Sequence, residues 1–115
     1  MTVKLLGVPY DAHSSFLRGP AEAPAAIRAA LTCGSANWCT ESGLDLDPAT
    51  NAGWTDLGDL ELTDDAADAV ELIHRGAADA MTDGSPLLSL GGDHMVTWPL
   101  VRAVSDRVDG LTIVH

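Results

Sequence analysis

An aspartate and a histidine that follow two glycines are the residues of this sequence best suited to chemistry. Asp93 and His94 come after Gly91 and Gly92, which would let the chain turn sharply as it leaves the apolar run at residues 86–90. A neutral imidazole binds transition metals or transfers protons near neutral pH, and an adjacent carboxylate can orient it. The pattern therefore predicts a metal or acid–base site at His94. The alternative is an ordinary strand-to-helix turn with two solvated side chains.

A second group of polar residues lies in the loop at residues 10–20, directly after the apolar run Val3–Val8. Loops at the carboxyl ends of parallel strands line the ligand site of open α/β sheets. We therefore expect this loop to share one edge of a sheet with His94, unless it is simply held by its own hydrogen bonds. Its candidates for contact with a substrate are His13, Ser14, Ser15 and Arg18.

Strand and helix patterns alternate along the chain, separated by two longer loops at residues 10–20 and 32–53. Apolar runs predict four strands, and apolar residues at helical spacing predict three helices between them. The predicted strands are residues 3–8, 56–60, 86–90 and 111–115, and the helices are residues 21–31, residues 63–82 and a third that begins near Thr97. Strands that alternate with helices form a parallel sheet covered on both faces. The fold class is therefore α/β.

Capping residues and apolar periodicity define the helices in more detail. Thr63 or Asp64 is expected to cap the second helix, and Thr97 the third. Residues 32–53 form a long loop, with Trp38 and Trp54 as packing anchors. The first helix is expected to bury one apolar stripe, made of Ala23, Ile27, Ala30 and Leu31.

The composition excludes some kinds of partner. The 115 residues carry 6 Lys and Arg against 17 Asp and Glu, for a formal net charge of −11. Such a surface repels nucleic acids and anionic membranes, whereas it suits a cationic ligand. No apolar stretch approaches the ~20 residues of a membrane span, and the N-terminus does not read as a signal peptide, so we expect a cytoplasmic location. Cys33 and Cys39 lack the second pair that a zinc site needs.

Two segments resemble the ureohydrolases, the family of arginase, agmatinase and formiminoglutamase. Residues 7–31, GVPYDAHSSFLRGPAEAPAAIRAAL, are similar to the opening of these enzymes, and residues 90–104, LGGDHMVTWPLVRAV, to their first metal motif. The DLGD segment at residues 56–59 fits the short acidic stretch between them. The resemblance covers most of the chain, with residues 32–53 the least alike.

This resemblance implies a three-layer α/β/α fold around a mainly parallel, eight-stranded sheet. It also implies two Mn²⁺ ions bridged by a hydroxide that attacks a guanidinium carbon and releases urea, or formamide in the formiminoglutamase branch. His94 matches the histidine ligand of the first metal, and Asp93 matches the neighbouring acid that supports it. The implied partners are a small guanidino substrate and further copies of the chain, since the family commonly forms trimers or hexamers.

The resemblance stops short of a complete metal site. The family takes its other ligands from an Asp-Ala-His-x-Asp motif and a later Asp-x-Asp pair, and neither occurs in these 115 residues. One histidine cannot hold a binuclear cluster, and His115 matches no family ligand. We therefore expect residues 1–115 to be the N-terminal part of a single, agmatinase-like ureohydrolase domain that is active when intact and inactive alone. No residue is assigned a catalytic role.

Two other functions have to be weighed against this one. A non-catalytic α/β binding or oligomerisation module would keep the scaffold without the chemistry, and would unfold cooperatively as a compact monomer or dimer. The hydrolase portion instead predicts poor cooperativity or aggregation, because its last strand at residues 111–115 is uncovered. A nucleotide-binding module would need a Gly-rich phosphate loop with a lysine, which the sequence lacks.

Overall fold

The elements of the fold follow the predicted alternation of strands and helices as far as residue 105. A computed structural model describes residues 2–50 and 53–115, so residues 51 and 52 of the predicted long loop lie outside the described residues. The strands are β1 (Val3–Val8), β2 (Trp54–Asp59) and β3 (Leu87–Gly91), and the α-helices are α1 (Ala23–Leu31), α2 (Ala66–Ala80) and α3 (Thr97–Ser105). Short 3₁₀ turns at Pro20–Glu22 and His94–Val96 lead into α1 and α3. Within the described ranges, every helix is too short or too polar for a membrane crossing.

The three strands form one parallel sheet in the order β2-β1-β3. β1 lies in the middle, and its buried run from Leu5 to Val8 suits a strand that is covered on both faces. It pairs with β3 in register, from Lys4 opposite Leu87 to Val8 opposite Gly91. Because the two strands are parallel, the segments that follow Val8 and Gly91 begin at the same edge of the sheet.

Helices cover both faces of the sheet. Side chains alternate along a strand, so Leu5 and Val8 of β1 point to opposite faces. Leu5 lines an apolar cavity together with Leu31 of α1. Val8 packs against Ile73 of α2 on the other face, and α3 packs beside α2 around Ala77. The three layers are therefore α1, the sheet, and the pair α2 and α3, which confirms the α/β/α fold class.

Two helices begin differently from the prediction. The side chain of Asp65 caps α2 by accepting two backbone N–H groups of its first turn. The carboxylate of Asp64, one of the two expected caps, binds Arg18 instead. Thr97 is already inside α3, because the 3₁₀ turn His94–Val96 precedes it. Both predicted caps were wrong. The contact with Arg18 takes Asp64 away from the helix start, and the 3₁₀ turn moves the start of the helical segment ahead of Thr97.

Two apolar segments are more exposed than predicted. On α1, Ile27 and Leu31 of the predicted apolar stripe keep 40% and 38% of their surface exposed. The described residues do not cover this part of the helix. Residues 111–115 form no strand, and Ile113 and Val114 are 63% and 94% exposed. A strand needs a paired edge and a covering layer, and no helix of the described chain follows α3 to supply that layer.

Arg28 of α1 joins the helix to β2. Its Nε and Nη2 donate to the two carboxylate oxygens of Asp56 at 2.6 and 2.9 Å, and its Nη1 donates to Asp59. The bond from Arg28 is the main reason that the pKa of Asp56 lies below its usual value. A Cβ on Gly7 would overlap the carboxylate of Asp59, so the glycine makes room for this cluster. The acidic residues of β2 therefore serve packing.

The long loop between α1 and β2 is anchored by its two tryptophans, as predicted. The rings of Trp38 and Trp54 stack with centroids 6.0 Å apart and planes 21° apart. The indole N–H of Trp54 donates to the carbonyl of Leu46 at 2.9 Å. Burying the apolar body of an indole while satisfying its N–H is the usual way such an anchor stabilises a loop.

Candidate functional site

His94 lies where the sequence predicted it, just beyond the carboxyl end of β3. The strand ends at Gly91, and His94 is the first residue of the 3₁₀ turn that leads into α3. Its side chain is exposed, and its imidazole makes no hydrogen bond to other residues of the described chain. An exposed imidazole at the rim of a parallel sheet is suited to binding a metal ion.

The glycines before His94 allow two backbones to approach closely. The N–H of Asp93 donates to the carbonyl oxygen of Tyr10 at 2.7 Å. A Cβ on Gly92 would overlap that same oxygen. Neither Gly91 nor Gly92 adopts a positive φ, so a sharp left-handed turn is not the reason for their presence. The expectation of a sharp turn was therefore wrong. Gly92 is needed because the backbone after β3 contacts the backbone of Tyr10.

The carboxylate of Asp93 is buried, and both of its oxygens bind the main chain. Oδ1 accepts the N–H of Met95 at 3.0 Å and caps the turn that carries His94. Oδ2 accepts the N–H of His13 at 3.0 Å and so ties the loop after β1 to this turn. Asp93 therefore fixes the backbone next to His94. Its assignment as the support of a metal ligand stays a prediction.

Asp11, which the sequence did not single out, anchors the loop at residues 10–20. Its buried carboxylate accepts the N–H groups of Gly19 at 2.7 Å and Ala21 at 3.2 Å, and Nε of Arg18 at 2.9 Å. These bonds, with Gly19 the largest cause, hold the pKa of Asp11 below its usual value. The sequence gives one hint of this role. Asp11 precedes Gly19 and Pro20, where the first helical turn begins, and aspartate side chains often accept hydrogen bonds from backbone N–H groups of the same segment.

The loop candidates for substrate contact have three different environments. The guanidinium of Arg18 lies between Asp11 and Asp64 and donates to both oxygens of Asp64 at 2.9 and 3.1 Å. Nδ1 of His13 hydrogen-bonds the Tyr10 hydroxyl at 2.8 Å. The hydroxyl of Ser14 is buried without a hydrogen-bond partner among the described residues. Arg18 thus holds the loop in place, and contact of His13, Ser14 or Arg18 with a substrate stays a prediction.

A cavity of about 400 Å³ separates this loop from the His94 turn. The loop and the turn therefore share one edge of the sheet, as the parallel topology predicted. The titratable residues that line the cavity are His13, Asp93 and His94, and no lysine or arginine is among the lining residues. The loop candidates His13, Ser14 and Ser15 all line this cavity, together with Asp93 and His94 of the turn.

The metal-binding capacity of this edge is limited to one clear donor. In residues 2–50 and 53–115, no three His, Cys, Asp or Glu side chains converge as a metal site requires. The ring of His115 lies edge-on to that of His94, with centroids 6.2 Å apart. A neutral imidazole fits one coordination position of Mn²⁺, which otherwise prefers carboxylate oxygens. His94 therefore fits as one ligand of such a site, and the described residues do not complete it.

Parallel strands with helices on both faces place the molecule among the open-sheet α/β proteins, and His94 lies at the edge where proteins of this class bind ligands. The chain belongs to the arginase family, whose model matches residues 1–115. This match confirms the resemblance seen in residues 7–31 and 90–104.

Individual relatives of the chain include both arginases and agmatinases. Mitochondrial arginase 1 of Arabidopsis thaliana is 42% identical and aligns with 99% of this chain, but with 35% of its own length. An agmatinase of Neisseria meningitidis serogroup C is 35% identical over 96% of this chain and 36% of its own. The agmatine ureohydrolase structure of Thermoplasma volcanium superposes with a TM-score of 0.77 at 33% identity, covering 94% of this chain and 36% of that one. The chain thus spans about a third of the length of these relatives.

Proposed function

We propose that this chain supplies His94 as one manganese ligand of a hydrolase that cleaves a guanidino or formimino carbon–nitrogen bond. The observation that supports it most is the free imidazole at the carboxyl edge of β3, in a chain of the arginase family. The remaining ligands belong, in this proposal, to residues outside the given sequence. The proposal includes a cytoplasmic location and assembly into a homo-oligomer.

The residues of this chain have separate tasks in the proposed reaction. The chemistry that bound manganese supplies is the activation of water at neutral pH. His94 holds one coordination position, while Asp93 fixes the backbone turn beside it through Met95 and His13. Asp11 and Arg18 keep the facing loop in place, so that the cavity next to His94 keeps its shape. The net charge of −11 favours the approach of a guanidinium cation.

The choice of substrate is the finer part of the proposal. The sequence resemblance suggested an agmatinase-like enzyme, but the relatives carry the names of arginases as well as agmatinases. We therefore propose a linear guanidino compound as the substrate class. Agmatine and arginine share the guanidinium that would react and differ at the far end, so the ratio of their kcat/KM values separates the two subtypes.

The test uses the protein encoded by the complete reading frame that contains these 115 residues. We expect it to bind two Mn²⁺ per chain and to release urea from agmatine or arginine. His94→Ala should lower both the bound manganese and kcat, the latter by at least about a hundredfold, because one metal ligand is lost. His74→Asn is the matched control, since it removes an imidazole from α2, where Nε2 contacts Asp106.

Two results would contradict the proposal. One is a well-folded complete protein that binds no manganese. The other is a reading frame without acidic residues flanking a histidine beyond residue 115.

A non-catalytic binding or oligomerisation module is the second candidate function. The observation in its favour is that no group of three metal-ligating side chains converges in residues 2–50 and 53–115. It predicts that the 115-residue chain alone unfolds in one cooperative transition, whereas a portion of a larger hydrolase domain unfolds in a broad one. Urea unfolding of the 115-residue chain, followed by circular dichroism, decides between the two.

A further inference from the structure

Tyr10, His13 and Asp93 form a closed ring of three hydrogen bonds beside His94. The Tyr10 hydroxyl contacts Nδ1 of His13 at 2.8 Å, the N–H of His13 donates to Asp93 Oδ2 at 3.0 Å, and the N–H of Asp93 donates to the carbonyl of Tyr10 at 2.7 Å. Each residue contacts the other two. The ring therefore joins the loop after β1 to the turn after β3.

Tyr10 is the fixed member of this ring. Its side chain is 2% exposed and belongs to the same core cluster as Val8 and Ile73. Burial is the largest cause that raises the pKa of Tyr10, with the charge of Asp93 adding to it, so the phenol stays protonated and keeps its hydrogen-bonding proton. Because Gly92 has no side chain, its backbone lies directly against the carbonyl of Tyr10, where a Cβ would overlap the oxygen.

His13 is the member that needs to be held. It lies in an exposed part of the loop, and its ring stacks on that of Tyr10 with centroids 5.8 Å apart and planes 15° apart. The same residue presents its backbone N–H to Asp93. The contact between the two side chains thus limits how far this N–H can move away from the carboxylate.

Asp93 carries the effect to His94. Its second oxygen caps the turn through the N–H of Met95, so one carboxylate connects the loop on one side with the turn on the other. If the N–H of His13 withdraws, the carboxylate loses one of its two donors and is free to rotate away from the turn. The direction of the neighbouring imidazole then becomes less well defined.

We propose that Tyr10 and His13 are positioning residues, which act through Asp93 to fix the direction of the His94 imidazole. The inference rests on the proposed role of His94 as a metal ligand. Partners that orient a ligand from outside the coordination sphere typically change metal affinity by 10- to 100-fold when they are removed. Tyr10 and His13 act one step further out, so we expect an effect of about tenfold.

The first experiment measures the ring in the complete protein freed of metal. Amide hydrogen exchange followed by NMR is compared for the wild type, Tyr10→Phe, His13→Ala and His13→Asn. We expect the N–H groups of His13 and Met95 to exchange about tenfold faster in Tyr10→Phe and His13→Ala. In His13→Asn the side-chain amide can take the place of Nδ1, and the exchange rates should return towards those of the wild type. Ser35→Ala, which removes an exposed hydroxyl from the loop between α1 and β2, should change neither rate.

The second experiment measures Mn²⁺ binding to the complete protein. Tyr10→Phe should raise the Mn²⁺ concentration for half-saturation by about tenfold, while kcat at saturating metal stays near that of the wild type. His13→Asn should recover most of the affinity, and Ser35→Ala should match the wild type. A purely structural role would lower the protein's stability without this separation of metal affinity from kcat.

The outcomes are distinguishable. If Tyr10→Phe and Ser35→Ala give the same exchange rates and the same manganese affinity, the positioning role is wrong. If exchange becomes faster while the affinity is unchanged, the ring exists but does not orient His94, and the inference is again overturned. If the wild-type complete protein binds no manganese, the proposed function fails and the inference fails with it, whereas the exchange rates still report on the ring.

Discussion

Asp11 and Asp93 are buried carboxylates at the edge of the sheet that carries His94. Both are bound to main-chain N–H groups: Asp11 to Gly19 and Ala21, and Asp93 to His13 and Met95. Hydrogen bonds to a charged acceptor are strong, and removing such an acceptor leaves buried donors unpaired. The shape of this edge therefore depends on two side chains more than on local propensity.

The contribution of Asp93 can be measured by substitution. Asp93→Ala leaves the N–H groups of His13 and Met95 without their acceptor, and we expect a loss of about 2 kcal/mol in the free energy of unfolding. Asp93→Asn keeps one acceptor oxygen and should cost about half as much. Urea unfolding of both variants checks the prediction, with Asp79→Ala, an exposed carboxylate on α2, as the control. Equal stabilities of Asp93→Ala and Asp79→Ala would contradict it.

The lowered pKa of Asp11 predicts how stability depends on pH. A carboxyl whose pKa is lower in the folded state than in the unfolded one, where it is about 3.9, stabilises the fold above that pH. This contribution is lost as the pH falls through the folded pKa. Asp11→Asn has no such group, so the stability difference between the wild type and this variant should shrink as the pH falls from about 5 through the folded pKa of Asp11. Urea midpoints at several pH values measure it, and two parallel pH profiles would rule it out.

At the scale of elements, packing of α1 on β2 depends on a cluster of three charged side chains over one glycine. Arg28 reaches Asp56 and Asp59 from the helix, and Gly7 of the neighbouring strand lies under the carboxylate of Asp59. The small residue and the ion pairs therefore form one unit. A larger residue at Gly7 would therefore displace the Asp59 carboxylate and weaken its ion pair with Arg28.

Gly7→Ala tests this unit. The new methyl group would overlap the carboxylate of Asp59, which Arg28 holds in place, so we expect a loss of about 1–3 kcal/mol. Gly34→Ala, in open space, should be close to neutral. In the double variant Gly7→Ala, Asp59→Ala the overlap is gone, and the cost of the added methyl should be clearly smaller than in the single variant. Thermal and urea unfolding measure these differences, and additive effects would contradict the shared unit.

Element order was predictable from the sequence because each element carries its own periodic signal. The strands at residues 3–8 and 86–90 are short apolar runs, and α2 repeats apolar residues such as Ile73 and Ala77 on one face. The position of His94 followed from the strand before it. Contacts between distant segments were not predictable: the bond from His13 to Asp93 and the binding of Asp64 to Arg18 join residues with no local pattern in common. Residues 111–115 show the same limit, because β-branched composition gives a propensity but no partner strand.

At the scale of the whole molecule, apolar surface is open in at least two places, around Leu88 on the α1 side of the sheet and around Trp98 and Ile113 next to His94. The chain spans about a third of the length of its relatives, and its sheet has three strands in the described ranges. Exposed apolar side chains are found on β3, on α3 and in residues 111–115. They are Leu88, Trp98, Leu111, Ile113 and Val114. Surfaces of this kind mark places where further protein packs, and in isolation they favour association.

The open surface predicts that the 115-residue chain associates with itself. We expect its average mass to rise with concentration, and its urea transition to be broad, as for a portion of a larger domain. The double variant Ile113→Lys, Val114→Lys should shift the chain towards the monomer, whereas Thr40→Lys and Glu41→Lys together, in the loop after α1, should not. Light scattering after size-exclusion chromatography measures the mass. A monomer with a sharp transition would instead support the independent module.

The position of β1 in the middle of the sheet also determines when the sheet can assemble during synthesis. β1 leaves the ribosome before both of its neighbours, and β3 is the later of these two neighbours to follow it. The nascent chain must therefore keep Leu5, Leu6 and Val8 without their final hydrogen-bonded partner until Gly91 has emerged, and such exposed strands are where misfolding begins. A chaperone that binds apolar nascent segments would therefore have time to bind β1 before β3 is synthesised.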